Sequence, residues 1–202
     1  MYKANTANSQ MIRTVAVTGL MIGITAIMSF WPFLGTIMLP IVSITIAFLP
    51  AIITTMIKGL YPGVIVALSA GIFSMVRALT VPTTWLSIFL QNPLVSVLPR
   101  VMIVVWVFLV FKALINTKMP KPVTIGMAAA AGSIANTVGV LGMVWLLYAA
   151  PLYDVATRAG HSSILAMMVF IVSTNAALEV VGNTIIATLV VLTLRKAKIS
   201  KY

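Results

Sequence analysis

The 202-residue chain contains no cysteine, one histidine and only two acidic residues, Asp154 and Glu179. Without cysteine there is no disulfide, no thiolate metal site and no cysteine nucleophile. One histidine and two carboxylates leave little for general acid–base chemistry, and they form no cluster that could hold a metal ion. The G-x-x-x-x-G-K-[ST] phosphate loop is missing, and so is the G-x-S-x-G nucleophile elbow. Charge of either sign is scarce. Only 7% of the residues are charged, whereas a soluble domain carries about 25%. Such a chain cannot coat a water-facing surface, so a soluble enzyme is excluded early.

What the chain has instead is apolar length: 61% of its residues are hydrophobic. A membrane-spanning helix takes roughly 20 mostly apolar residues. Apolar segments fall at 11–31, 37–57, 60–79, 93–112, 122–150 and 163–194, which predicts an all-α membrane protein of six transmembrane helices. Only short loops remain between them, so residues 1–202 are expected to form a single integral membrane domain. The polar start, Met1 to Gln10, is followed by no small-residue cleavage site, and the first apolar stretch is read as a retained helix. Gly59 to Gly63 reads as a tight turn, 116–122 as a polar connection and 151–163 as the most polar loop. The second segment is irregular, because Pro40 and Pro50 interrupt it and a proline inside a helix removes a backbone hydrogen bond. Part of 31–49 is therefore expected to be a loop or a broken helix. Thr80 to Pro99, with three prolines, is a second extended connection.

The net charge of +11 does not point to nucleic acid, because the basic residues are scattered among apolar runs and form no basic face. They set orientation instead, since cytoplasmic loops collect Lys and Arg. Both tails are basic, which places the N and C termini together on the cytoplasmic side and requires an even number of spans. Ten of the 13 basic residues then lie inside; the outer three are all arginines, Arg77, Arg100 and Arg158. The inner ten need no role beyond topology and lipid headgroup contact.

Counting about 1.5 Å per helical residue from the inner anchors places six polar groups in the outer half of the membrane: Arg77, Arg100, Asn136, Asn175, Glu179 and Asn183. They come from four segments, as a pocket open to the outside would require. Asn175, Glu179 and Asn183 are spaced i, i+4, i+8 and share one helix face. An ionisable group at this depth should face the bundle interior and find a partner. Glu179 has two readings: it neutralises Arg77 or Arg100 and fixes helix packing, or it belongs to a binding site. For Arg100 function is favoured, because several arginines compete for one buried carboxylate, and the surplus positive charge suits an anionic ligand. The guanidinium fork matches a carboxylate through two parallel hydrogen bonds. Trp31 and Trp85 fall at the outer edge, as interface anchors or as covers over a pocket. His161 carries no functional expectation, and the 13 methionines read as helix contacts.

On the first segment Ala16, Gly19, Gly23 and Ala26 share a face of small residues. Gly19-x-x-x-Gly23 permits close helix–helix approach, either within the chain or against a partner membrane protein. A protein that binds a solute but has no ATP motif must borrow energy or use an ion gradient. A secondary transporter or channel for a small organic anion is therefore the alternative, although no internal repeat of the secondary-transporter kind is evident. A membrane enzyme ranks last.

Four stretches carry a family resemblance: PIVSITIAFLP at 40–50, which includes Thr45; GIFSMVR at 71–77; QNPLVSVLPR at 91–100, which includes Asn92 and is the most specific; and GSIANT at 132–137. Together with six spans and basic inner tails, they make the whole chain resemble the substrate-binding S component of energy-coupling factor (ECF) vitamin transporters, most closely the pantothenate type. The resemblance implies capture of a vitamin from outside. It also implies a membrane coupling subunit of the EcfT type and two cytoplasmic ATPases of the EcfA type, in the plasma membrane of a prokaryote. The chain itself would need no cofactor, ATP being used by the partner subunits. Arg100, aided by Arg77, would take the pantothenate carboxylate, and Asn136 and Asn175 would bond its amide or hydroxyls. Glu179, Asn92, Thr45 and Trp85 complete the candidate site. The family's first-helix docking pair, Ala-x-x-x-Ala, has as its nearest match Gly19-x-x-x-Gly23, flanked by Ala16 and Ala26.

Overall fold

The computed structural model describes residues 2–31, 35–38, 43–82 and 85–197. Pro40 and the last lysines, Lys198 and Lys201, lie outside the described residues. In chain order the elements are α1 (Tyr2–Phe30), β1 (Thr36–Met38), β2 (Ser43–Thr45), α2 (Leu49–Lys58), α3 (Leu60–Thr80), α4 (Ser87–Leu90), α5 (Pro93–Ser96), α6 (Leu98–Leu114), α7 (Lys121–Arg158), α8 (Ile164–Ile171), a π-helical turn (Val172–Ala176) and α9 (Ala177–Lys196). The protein is a helical membrane protein with one short antiparallel hairpin, in which Thr36 pairs with Thr45 and Met38 with Ser43.

Among the described residues, five helical stretches are long and apolar enough to cross a membrane: Asn8–Phe30, Leu60–Thr80, Pro93–Leu114, Lys121–Arg158 and Ile164–Lys196. The second apolar segment, expected over 37–57, is divided. Its first part is the hairpin, and its second part is α2, ten residues long. The reason is Pro50, which has no N–H to give and is tolerated only in the first turn of a helix; α2 accordingly starts at Leu49 with Pro50 in that turn. What α2 lacks in length it makes up in burial. Every residue from Leu49 to Ile57 is buried, as expected of a helix apolar on all sides. Ile52, Met56 and Ile57 form the centre of the main core, together with Val66 of α3, Ile103 and Val107 of α6, Ile125 and Ala128 of α7, and Ala187 and Val191 of α9. A smaller cluster of Phe89, Val95, Val140, Val144, Leu152 and Met167 packs the other end of the bundle.

Three connections differ from their sequence reading. The reversal expected over Gly59 to Gly63 needs one residue, Gly59, whose φ of 98° and ψ of −177° are rarely open to a residue with a Cβ; Pro62 and Gly63 already belong to α3. The polar loop expected over 151–163 is helical as far as Arg158. Its proline is accommodated by a break: Tyr148 leaves the helical region (φ −136°, ψ 38°) three residues before Pro151, and the ring removes a helical hydrogen bond there. The true turn is 159–163, with Gly160 at φ 81°. The extended connection over 80–99 contains the short helices α4 and α5.

Gly71 allows α3 to press on the junction between α5 and α6. A Cβ at Gly71 would lie 2.8 Å from Val97 Cα and 3.1 Å from the Ser96 carbonyl oxygen, and the buried Ser96 hydroxyl donates to the Gly71 carbonyl at 2.8 Å. Those are backbone atoms, which cannot yield as a side chain can. Gly71→Ala is therefore expected to destabilise the protein by about 1–3 kcal/mol, the usual cost of overpacking. Gly142→Ala, at an exposed helical position with nothing within 4 Å, should hold or slightly raise the unfolding temperature of the detergent-solubilised protein, because alanine is favoured over glycine inside a helix. Equal midpoints for the two variants would contradict this packing.

Candidate functional site

The buried face of α9 is Glu179, Asn183, Ala187 and Val191, residues four apart that stack on one side of a helix. The same stripe is thus polar at one end and apolar at the other, and it changes character where α9 leaves the main core. The π-helical turn comes directly before it; such a turn sets one extra residue into the helix and often marks a functional position. Asn175 falls within that turn, and its side chain lies outside the described ones.

Glu179 is 7% exposed. Its Oε1 accepts a hydrogen bond from Asn136 Nδ2 of α7 at 3.2 Å, and it is attracted electrostatically to Arg100 of α6. Of the two arginines the sequence offered as its partner, Arg100 is the one whose charge acts on it. Pro99, in the first turn of α6, starts that helix one residue before Arg100. The guanidinium is half-buried and donates from Nη1 to the Val95 carbonyl at a long 3.5 Å. A guanidinium has five N–H donors, so most of its capacity is directed elsewhere. Arg77 sits in the last turn of α3, a helix that packs on α1, α2, α4, α5 and α6.

Asn183, fully buried, donates from Nδ2 to the Thr45 carbonyl at 3.2 Å. This bond ties β2, and with it the hairpin, to the face that carries Glu179. Thr45 contributes its backbone here. Both asparagines have used a donor, while Asn136 Oδ1 and Asn183 Oδ1 are buried without a hydrogen-bond partner. Ser133 Oγ, one turn from Asn136, is in the same condition. A buried polar atom left unsatisfied costs about 1–3 kcal/mol, so three of them on α7 and α9, the two helices joined by the Asn136–Glu179 bond, mark a polar cluster whose hydrogen bonding is incomplete. Sequence reasoning missed Ser133; its i, i+3 spacing to Asn136 within the GSIANT stretch was the available signal.

The remaining candidates have other surroundings. Asn92 caps α5, with its Oδ1 accepting from the Leu94 amide at 2.9 Å, and its Nδ2 donates to Tyr148 Oη at 2.9 Å. It therefore anchors the connection between α4 and α5 to the break in α7. Trp85 is exposed and meets Phe89 edge-on at 6.2 Å. Ala16, Gly19 and Gly23 are exposed on α1, Ala26 is half-buried, and a Cβ on either glycine would meet nothing within 4 Å. Close packing of Gly19 and Gly23 within the chain, one of the two readings of that face, is not what the fold does with them.

Residues 13–191 match the model of a family described as the ECF transporter, substrate-specific component. A protein of Lactococcus lactis subsp. cremoris (strain MG1363), named pantothenic acid transporter PanT, is 29% identical over 185 residues, covering 85% of this chain and 84% of its own length.

The Asn136–Glu179 bond is expected to hold α7 to α9. Asn136→Ala removes the donor and leaves a buried carboxylate oxygen unsatisfied, at a cost of about 1–3 kcal/mol. A thermal unfolding curve in detergent should shift down accordingly, and an unchanged midpoint would mean the bond does not form.

Proposed function

The chain belongs to the ECF transporter substrate-specific component family, and on that premise we propose that it is a high-affinity vitamin-binding subunit of an importer, with pantothenate as its ligand. What supports this reading is Arg100, one cation with most of its donors uncommitted, together with the unpartnered buried acceptor oxygens Asn136 Oδ1, Asn183 Oδ1 and Ser133 Oγ on α7 and α9. Pantothenate has complementary parts. Its carboxylate takes the Arg100 fork. Its amide N–H and two hydroxyls donate to the free carboxamide and hydroxyl oxygens. Its gem-dimethyl group meets apolar wall. A cationic vitamin would instead require acidic and aromatic lining, which the chain largely lacks. The name of the Lactococcus relative points to the same ligand.

In this reading the tails lie in the cytoplasm and the site opens outward. The hairpin and α2 together complete a second crossing, giving six. Asn175, Arg77 and Trp85 line the approach to Arg100, with Asn92 and Thr45 shaping its walls. A chain with no ATP motif receives its energy from a membrane coupling subunit carrying two cytoplasmic ATPases, in a prokaryotic plasma membrane. The exposed small-residue face of α1, Ala16, Gly19, Gly23 and Ala26, is where that coupling subunit docks; Gly19 and Gly23 leave a shallow strip that a partner helix can approach closely.

Two experiments test the reading. Membranes containing the chain should bind radiolabelled pantothenate saturably at submicromolar concentration, and no saturable binding would remove the assignment. Arg100→Ala should weaken binding about 10- to 100-fold, since hydrogen bonds to charged groups contribute about 1.5–3 kcal/mol; unchanged affinity would take Arg100 out of the site. For the docking face, Gly19→Leu should abolish co-purification with the coupling subunit while leaving ligand binding intact, and an intact complex would place the interface elsewhere.

A further inference from the structure

The last two long helical stretches are interrupted at nearly the same level. Tyr148 lies 27 residues along α7 from Lys121, about 40 Å, and Val172 lies 24 residues back from Lys196, about 36 Å. Both distances exceed a hydrocarbon core of about 30 Å. With the tails in the cytoplasm, the piece between the two interruptions (the end of α7, the 159–163 turn and α8) stands at the outer surface of the bilayer. Each interruption is a point where a helix bends at low cost. Pro151 has no N–H for the Leu147 carbonyl, and Tyr148 has already left the helical region; helices kink at such points. The π-helical turn Val172–Ala176 is the other.

The piece between them is tied together as one body. The His161 amide donates to the Ala156 carbonyl at 2.9 Å and the Gly160 amide to the Thr157 carbonyl at 3.0 Å. Ser163 Oγ caps α8 by accepting from the Ala166 amide at 3.1 Å, and α8 packs chiefly on α7 and the π-helical turn. The inner side of this helical hairpin is apolar. Leu152, Ala156 and Met167 are buried in the smaller cluster together with Phe89 of α4 and Val95 of α5. Val95 is fully buried, and its carbonyl accepts the Arg100 hydrogen bond. The hairpin thus closes over the turn of chain that touches Arg100.

A polar bond fastens its first hinge. Asn92 Nδ2 donates to Tyr148 Oη at 2.9 Å, and the Phe89 ring lies 5.3 Å from the Tyr148 ring. Because Asn92 Oδ1 is held by the Leu94 amide, the carboxamide is fixed in the orientation that meets the tyrosine. We propose that residues 149–171 are a hinged cover over the Arg100 end of the bundle, latched by the Asn92–Tyr148 bond. Opening bends the chain at Tyr148 and at the π-helical turn and lifts Leu152, Ala156 and Met167 off Val95; closing re-forms the bond. The latch holds the hinge and not the ligand, so closed protein has it whether or not ligand is bound, and it sets the rates of entry and exit and not the affinity. That last consequence rests on the reading that an organic anion occupies Arg100.

The chain has no cysteine, so a single thiol can report opening. Val95→Cys places one under the cover, and Val66→Cys places one in the main core, where Val66 is also fully buried. Each is labelled with a water-soluble maleimide in the purified full chain, with and without Tyr148→Phe, which removes the latch hydroxyl and keeps the ring. Tyr148→Phe should speed labelling at position 95 about 2- to 12-fold, the equilibrium factor for one net hydrogen bond, and leave position 66 unchanged. No acceleration at position 95, or equal acceleration at both positions, would overturn the cover. In the otherwise unaltered chain, Tyr148→Phe should raise the association and dissociation rates of radiolabelled pantothenate by the same factor, with an unchanged dissociation constant. An altered affinity at an unaltered association rate would overturn the latch. No pantothenate binding by the wild-type chain would remove the vitamin reading, and the labelling rates, which need no ligand, would still decide the cover.

Discussion

A guanidinium and a carboxylate held at membrane depth are the constraint around which this molecule is organised. Either charge alone in a bilayer core costs a few kcal/mol even on the mildest scales. Asn136 of α7 donates to the Glu179 carboxylate of α9, and the charge of Arg100 on α6 acts on the same carboxylate, so the burial of each charge is partly compensated. The bundle is then two-ended. At one end of the bundle the contacts are apolar and close, centred on the fully buried α2. Toward the site they are polar and incomplete, with acceptor oxygens that no protein donor reaches. An incomplete polar cluster in a tightly built scaffold is what a reversible ligand needs: the scaffold holds the geometry, and the ligand supplies the missing donors.

The hairpin extends this logic outside the bundle. It is short, and two strands are marginally stable alone. Its tether is the Asn183 side chain, which lies one turn from Glu179 on the same face. Whatever repositions α9 at the site therefore also acts on the hairpin. The exposed α1, whose side chains from Met11 to Phe30 are largely open, stands apart from this network.

Depth along the helices and the four-residue spacing on α9 grouped Arg77, Arg100, Asn136, Asn175, Glu179 and Asn183, because burying a polar group in lipid is costly and leaves few places for it; of these, the fold bonds Asn136 to Glu179 and buries Glu179 and Asn183 on one face. Prolines marked where regular structure fails, but not what replaces it. Pro50 implied a broken second segment, while the hairpin depends on backbone pairing that leaves little trace in composition. Pro151 suggested a loop, yet α7 absorbs it with a break at Tyr148, which is held by Asn92 from a distant segment. That contact is also why Asn92, legible as a polar residue in a specific stretch, could not be read as a cap. Ser133 escaped notice because a serine in a helix usually bonds its own backbone, and only the fold shows its hydroxyl without a partner.

The central claim is that Arg100 reads the negative charge of the ligand. It is tested most directly by comparing pantothenate with pantothenol, its neutral alcohol analogue, in wild type and in Arg100→Ala. The account predicts that the wild-type chain prefers the carboxylate by at least about tenfold, the lower end of a charge-assisted hydrogen bond, and that Arg100→Ala binds the two compounds equally. A preference that survives the loss of Arg100, or a wild type that binds the alcohol as tightly as the acid, would contradict it.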